Sequence, residues 1–422
     1  MLEKIKQIFS LPDLRNRIIV VVLLLFVTRI LAHIPIPGAN LEQLKDFFQK
    51  NQIFGLLNMF SGGAMENFSL ILMGVGPYIT ASIIMQLLGI VIPSLEALQK
   101  EGEWGQQKIN QYTRYLTVPI AIMQSYAMLN LLKSQNLISN LSVQSLILMI
   151  LATTAGSILL MWLGELISEN GIGNGISLII SVGIIAGFPT QIRNTLATLD
   201  TSKIIGLAAF GVLYILVIAL IVFINEGERK IPVSYATRST SMRSYATVQS
   251  HLPLRVNAGG VIPIIFGMSM MLVPSVASRF FEQAKSAWLA DTARYVSHLF
   301  QNNLFYDICY FILVIFFTFF YVGIIFKPKQ VAENLQKQGG FIPGIRPGSE
   351  SSSYISKIVN KITLTGALFL GLIAILPFIA QSITGINTLV LGGTGLLIIV
   401  SVIIETSRQL QAQIAMRTYE KY

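Results

Sequence analysis

Gln52-Ile53-Phe54-Gly55-Leu56-Leu57-Asn58-Met59-Phe60-Ser61-Gly62-Gly63-Ala64 is an apolar stretch that stops at a Ser-Gly-Gly break, and from Phe68 to Ile92 the chain turns apolar again. As a helix, Gln52 to Phe60 would rise only about 14 Å against a hydrocarbon core of about 30 Å, so it cannot span a bilayer. Phe68 to Ile92 is long enough, yet it carries Gly74, Gly76 and Pro77 on its way through. Non-helical backbone survives at membrane depth only where protein or a water-filled cavity satisfies its polar groups. A half-helix beside a loosened span therefore predicts a cavity with something filling it.

The rest of the chain agrees with a membrane setting. Hydrophobic residues make up 53% of the 422 and charged residues only 12%, and the mean hydropathy is +0.66. That leaves little water-soluble surface, so the composition predicts an all-α polytopic membrane protein. Candidate spans are 18–36, 68–92, 115–132, 146–167, 176–188, 204–224, 259–276, 304–326, 362–379 and 389–404, the fifth being short. With these ten transmembrane helices taken in turn, the tails and even-numbered loops hold 21 Lys and Arg against 8 in the odd-numbered loops. By the positive-inside rule both termini are cytoplasmic. The net charge of +10 reflects this bias or an acidic cytoplasmic partner. Ile18 to Leu31 is interrupted by Arg29 and lacks a small-residue cleavage site after it, which reads as a retained first span. The single Cys309 rules out an internal disulfide and a cysteine metal cluster.

Five spans precede the polar break near Asp200 and five follow it, so residues 1–200 and 201–422 form two halves. An odd number per half turns the second upside down relative to the first, an arrangement common in membrane transport folds. The longest polar stretches, about 225–257 and 327–361, carry 11 of the 30 basic residues, and each is too short for a substantial core of its own. They read as retention charge or as a docking surface.

Several chemistries are disfavoured. Ion-coupled transport calls for buried ionisable groups, but Arg29, Asp307, Glu165 and Glu169 fall near span ends, where charges usually anchor a helix. His33, His251 and His298 are scattered at span edges and loops. Gly175-Ile176-Ser177 has the Gly-x-Ser pattern of a serine nucleophile without a histidine base deep in a span. There is no phosphate-binding loop, no cofactor or metal is implied, and the reading is of a non-enzyme whose energy comes from elsewhere. A secondary transporter of small solutes on inverted halves is the alternative; it predicts buried polar clusters at midplane.

The loops carry distinctive runs: Ile34-Pro35-Ile36-Pro37-Gly38, Met59-Phe60-Ser61-Gly62-Gly63-Ala64, Lys100-Glu101-Gly102-Glu103, Gly171-Ile172-Gly173-Asn174-Gly175-Ile176-Ser177, Val256-Asn257-Ala258-Gly259-Gly260-Val261-Ile262-Pro263 and Phe341-Ile342-Pro343-Gly344-Ile345-Arg346-Pro347-Gly348. In this order, from the first span to Tyr422, the chain closely resembles the SecY family, the channel subunits of the Sec protein translocon.

The resemblance implies a clamshell of two inverted five-helix halves with a re-entrant plug half-helix, opening across the membrane for unfolded secretory polypeptides and sideways for membrane proteins. It assigns the plug to about 53–64, that is Ile53, Phe54, Leu56, Leu57, Met59, Phe60, Ser61, Gly62, Gly63 and Ala64. It assigns a constricting aliphatic ring to Val75, Ile79, Ile176, Ile180, Ile265 and Ile398, Val75 being slightly smaller than the usual residue there. Such a ring would grip unfolded chains without strong preference and resist water by dewetting. Its lateral gate would carry Thr80, Gln86, Gln124 and Ser269, and its partner-docking loops Arg229, Lys230, Arg238, Arg243 and Arg346. Thr237 and Met242 stand where many relatives have Lys or Arg, which thins that basic cluster. The implied partners are the SecE and SecG subunits, the SecA motor ATPase, the ribosome, signal peptides, unfolded polypeptide and the lipid bilayer. The implied location is the bacterial plasma membrane, a thylakoid membrane being the alternative.

Overall fold

The computed structural model describes residues 11–37, 41–50, 58, 61–135, 137–138, 142–197, 204–235, 249–281, 286–384 and 393–419. Each of the ten apolar runs overlaps a helix, not always over its full length. Up to Ala197 the chain forms α1 (Pro12–Leu31), the short α2 (Leu41–Lys50), α3 (Gly76–Val91), α4 (Pro93–Lys100), α5 (Glu103–Ser134), α6 (Val143–Glu169) and α7 (Gly175–Ala197). From Ile204 onward it forms α8 (Ile204–Glu226), strands β1 (Glu228–Tyr235) and β2 (Gln249–Arg255), α9 (Ile262–Phe281), α10 (Ala287–Gln301), α11 (Asn303–Ile325), α12 (Pro328–Lys337), β3 (Gly340–Phe341), α13 (Ser349–Thr384) and α14 (Gly393–Tyr419). Among the described residues, five helices are long and apolar enough to cross a membrane by length and composition, or six if α3 and α4, bent by 102° at Ile92, count as one span.

The outer surface is what an apolar solvent requires. Ile19, Leu23 and Phe26 on α1, Val212, Ile215 and Leu216 on α8, and Leu304, Ile308 and Ile312 on α11 stand exposed at helical spacing. In water such stripes would be an aggregation hazard. In lipid they are the normal exterior, and they make this a multi-pass membrane protein.

The second span departs from the run read in the sequence. Phe68 to Val75 is apolar but not helical, and α3 starts only at Gly76, with Pro77 in its first turn. Gly74 sits at φ +56° and Phe68 at φ +45°, in the left-handed region where a right-handed helix cannot continue. The polar backbone of this stretch is satisfied locally. The Ile36 N–H donates to the Phe68 carbonyl at 2.8 Å and the Leu70 N–H to the Ile34 carbonyl at 3.0 Å, an isolated antiparallel bridge through Pro35 and Ser69. On its other side Gly156 of α6 presses against the Leu70 backbone so closely that a Cβ there would strike the Leu70 carbonyl.

The two polar stretches also differ from two independent loops. β1 pairs antiparallel with β2 and, through Ser234 and Tyr235, with β3, giving the order β2-β1-β3. Ile231, Val233, Leu254, Ala332, Leu335, Ile342 and Ile355 form one small core between this sheet, α12 and α13. Neither stretch has enough apolar surface alone, but pooled across the sheet they have.

Replacing Gly156 with Val is expected to lower thermal stability in detergent by about 1–3 kcal/mol, the usual cost of overpacking a tight contact. Gly211→Ala on α8, where nothing lies within 4 Å of the new Cβ, is expected to cost no stability by the same assay. Equal losses in the two variants would show that the Gly156 contact does not hold the irregular segment.

Candidate functional site

The centre of the bundle is apolar. Val75, at the mouth of α3, Ile180 on α7, Ile265 on α9 and Ile398 on α14 are buried members of a single hydrophobic cluster, and Ile79 and Ile176 pack against it. Ala64, the last residue of the broken segment, is fully buried in the same cluster. Residues on or at the start of α3, α7, α9 and α14 thus bring these six aliphatic side chains and the foot of that segment together.

Close backbone contacts set the positions of the first-half members. Gly175 opens α7 against the Gly164 carbonyl of α6, near enough that no Cβ would fit between them. This holds the two helix ends together and directs the next turns, with Ile176 and Ile180, towards the centre. Asn174 accepts from the Ser177 N–H at 3.1 Å, so Ser177 stands in the first turn of a side-chain-capped helix.

The segment around the break is tied off by its own side chains. Asn58 donates through Nδ2 to Glu66 Oε2 at 2.8 Å and accepts from the Glu66 N–H at 3.0 Å, while its carbonyl takes the Gly63 N–H and the Ser61 hydroxyl, each at 2.9 Å. Ser61, Gly62, Gly63 and Ala64 are therefore a closed turn. Ile53, Phe54, Leu56, Leu57, Met59 and Phe60 lie outside the described residues.

Arg29 was read in the sequence as a charge near a span end, but it turns inward. Its Nη1 donates to the Gly62 carbonyl at 2.8 Å. Gly62 sits at φ +70°, and a Cβ there would lie 2.7 Å from Arg29 Nη1 and 2.8 Å from Gly183 Cα, so only glycine fits between α1 and α7. Beside this contact lies a cavity of about 20 Å³ lined by Arg29, Ser61, Gly74, Val75 and Gly183 among others. That is room for roughly one water molecule. The signal that could have found this role was the arginine itself: a cation inside an apolar run needs an acceptor, and a glycine-rich break exposes carbonyls.

The four polar residues that the resemblance assigns to a lateral gate bond within their own helix or between α3 and α5. Thr80 bonds to the Gly76 carbonyl of its own helix and accepts from Gln124 of α5 at 3.2 Å. Gln86 bonds Ser82, and Ser269 the Ile265 carbonyl, both within one helix. Where α3 meets α9 and α11 the fill is aromatic and aliphatic. Phe266 of α9 stands edge-on to Phe317 and Tyr321 of α11, with Ile79 and Ile83 of α3 packed against the group. Those aromatics were missed because, in a run like Leu304 to Phe326, seam-facing and lipid-facing residues are equally apolar.

Elsewhere α14 is joined to the α6–α7 turn by polar contacts. Gln409 of α14 accepts from the Gly173 N–H at 2.7 Å and Gln413 donates to the Gly171 carbonyl at 2.6 Å, so the last helix grips the α6–α7 turn. Gly171 and Gly173 have φ of +72° and +80°, and side chains of α14 occupy the space a Cβ would need. Within the second half, Asn257 donates to Asn225, which donates to Ser401, each at 2.7 Å. Arg229 and Lys230 on β1 and Arg346 in the turn after β3 are exposed. The Arg346 carbonyl accepts from the Ser351 hydroxyl at 2.9 Å, which fixes the turn. Arg238 and Arg243 lie outside the described residues.

A family model described as SecY matches residues 69–407. A protein translocase subunit SecY of Streptomyces scabiei is 41% identical over the whole length of both chains. Its counterpart in Pseudomonas aeruginosa is also 41% identical, with 97% of this chain and 93% of the other aligned. Among solved structures, one described as a protein conducting channel superposes with a TM-score of 0.64 at 19% identity, covering 93% of this chain and 91% of that one. Sec61 in the canine ribosome-channel complex superposes with a TM-score of 0.60 at 18% identity, with the same coverage. At these identities the structures speak for the fold and the sequences for the family.

A hydrogen bond to a charged donor is worth about 1.5–3 kcal/mol, so Arg29→Met is expected to speed amide exchange across residues 61–66 on the order of tenfold or more. Arg29→Lys, which keeps a donor, is expected to fall between. Unchanged exchange in Arg29→Met, followed by mass spectrometry, would show that Gly62 is held by other contacts.

Proposed function

The chain belongs to the SecY family, and on that premise we propose that it is the pore-forming subunit of a protein-conducting channel, moving unfolded secretory polypeptides across a membrane and membrane segments sideways into it. One observation carries the reading: six aliphatic side chains from α3, α7, α9 and α14, or from their mouths, share an apolar cluster with the foot of a broken, non-spanning segment. A small-solute transporter needs convergent polar groups at that depth; methyl groups suit a constriction that closes by dewetting and yields to any side chain.

The mechanism follows from which contacts are cheap to break. The plug, about 53–64, seals from one side and is held through its neck by Arg29. Moving it exchanges the Gly62 carbonyl for another acceptor and vacates the space beside Val75. The ring of Val75, Ile79, Ile176, Ile180, Ile265 and Ile398 then closes on the polypeptide. Residues 1–200 and 201–422 act as two inverted halves of ten spans in all. The gate between α3 and α5 on one side and α9 and α11 on the other is lined by Phe266, Phe317, Ile79 and Ile83. Because lipid tails are as apolar as these side chains, parting such a seam into the bilayer costs little hydrophobic energy. Thr80, Gln86, Gln124 and Ser269 keep their hydrogen bonds when it parts.

The driving energy comes from partners. Arg229, Lys230 and Arg346 are exposed guanidinium and ammonium groups on one braced cytoplasmic unit, suited to phosphate or carboxylate on the ribosome or on SecA; Arg238 and Arg243 are assigned to docking by the family resemblance alone. SecE and SecG complete the channel, the membrane is the bacterial plasma membrane, and both termini are cytoplasmic. The subunit carries out no covalent chemistry of its own.

The test uses a chain with its single cysteine removed, Cys309→Ala, and a new cysteine introduced as Ile79→Cys or Ile180→Cys. A stalled secretory polypeptide bearing one cysteine is expected to form a disulfide crosslink with either position and not with the lipid-facing control Phe223→Cys. Capture at the control with none at Ile79 or Ile180 would overturn the pore assignment.

A further inference from the structure

Helix α10 (Ala287–Gln301) lies between α9 and α11, at the end of α9 away from the β2 strand, and has three distinct faces. Ala290, Ala293 and Ser297, at helical spacing, are buried against the protein. Asp291, Arg294 and His298, again at i, i+3 and i+7, form an exposed polar stripe, with an Arg294–Asp291 ion pair at 3.3 Å. Opposite the buried face stand Trp288, 76% exposed, and Tyr295, 68% exposed, two turns apart on one line.

We propose that α10 is a membrane-surface helix whose Trp288–Tyr295 face is embedded in the headgroup and upper acyl region of the leaflet opposite the basic loops. Continuity argues for lipid as the occupant. Asn302 alone separates α10 from the spanning helix α11, whose first turn it caps by accepting the Leu304 N–H at 3.1 Å. Leu304 is 72% exposed, and Ile308 and Ile312 continue its lipid-facing stripe. Trp and Tyr favour this depth because a ring can sit among acyl chains while its N–H or O–H reaches hydrated headgroups. The polar stripe beside that face gives the helix a side for water, as an interfacial helix needs. Because α10 packs on α9 as well as α11, lipid at this surface bears directly on a helix of the proposed gate.

The chain has three tryptophans. Replacing the exposed Trp104 and Trp162 with Phe leaves Trp288 as the sole reporter in the full chain, reconstituted into phosphatidylcholine and phosphatidylglycerol vesicles. Lipids brominated near the glycerol end are expected to quench its emission by about half or more, and lipids brominated near the methyl end distinctly less, as an interfacial ring requires. Aqueous iodide is expected to quench it weakly. Efficient iodide quenching without lipid quenching would place the face in water, and no quenching by either would mean that protein covers it. Stronger quenching by the deep bromines would bury the helix in the core, and any of these three results overturns the proposal. Trp288→Ser, checked for intact folding by gel filtration, is expected to abolish the remaining signal and so confirm its source.

Discussion

Everything near the centre of this protein depends on where the unpaired backbone of residues 61–75 finds its hydrogen bonds. In a bilayer core each unsatisfied N–H or C=O costs several kcal/mol, so a non-helical stretch has to bring its partners with it. Part of the supply is local, as in the Ser69 N–H to the Ala64 carbonyl and the Gly74 N–H to the Ile71 carbonyl. Part comes from the end of α1 through Ile34 and Ile36, and part from Arg29. With those bonds made, Val75 and Ala64 stay at the centre, and α3 starts from a defined point.

The same logic separates the contacts that hold from those that can part. Polar bonds join α5 to α3, as between Gln124 and Thr80, and α14 to the α6–α7 turn, through Gln409 and Gln413. Between α3 and α9 the fill is Ile79, Ile83 and Phe266. In a membrane the polar contacts are the costlier ones to break, since hydrogen bonds have no substitute in lipid and methyl contacts do.

Much of this was legible in the sequence, for reasons that residue type alone can carry. Each of the ten apolar runs holds at least part of a helix, since in lipid length and hydropathy leave few other choices. The break at Ser61-Gly62-Gly63 was equally plain, because glycine at positive φ leaves a compositional trace. The start of the second span was not legible: Phe68 to Val75 is as apolar as a helix, and only the bridge to Ile34 and Ile36 shows why it is not one. The shared core under the sheet was hidden too, because Ile231 and Leu335 are about a hundred residues apart and neither stretch suffices alone.

The sequence by itself determined the apolar solvent, the order of the apolar segments and the family. These depend on the kinds of residues and their order, which the chain displays directly. Only the tertiary structure decided that Arg29 bonds the Gly62 carbonyl rather than reaching for the surface, that Gly156 and Gly175 are there to admit a neighbouring backbone, and that Phe266, Phe317 and Tyr321 pack with Ile79 and Ile83. Each of these is a meeting between distant segments. In a chain this uniformly apolar, composition cannot distinguish a side chain facing lipid from one facing another helix.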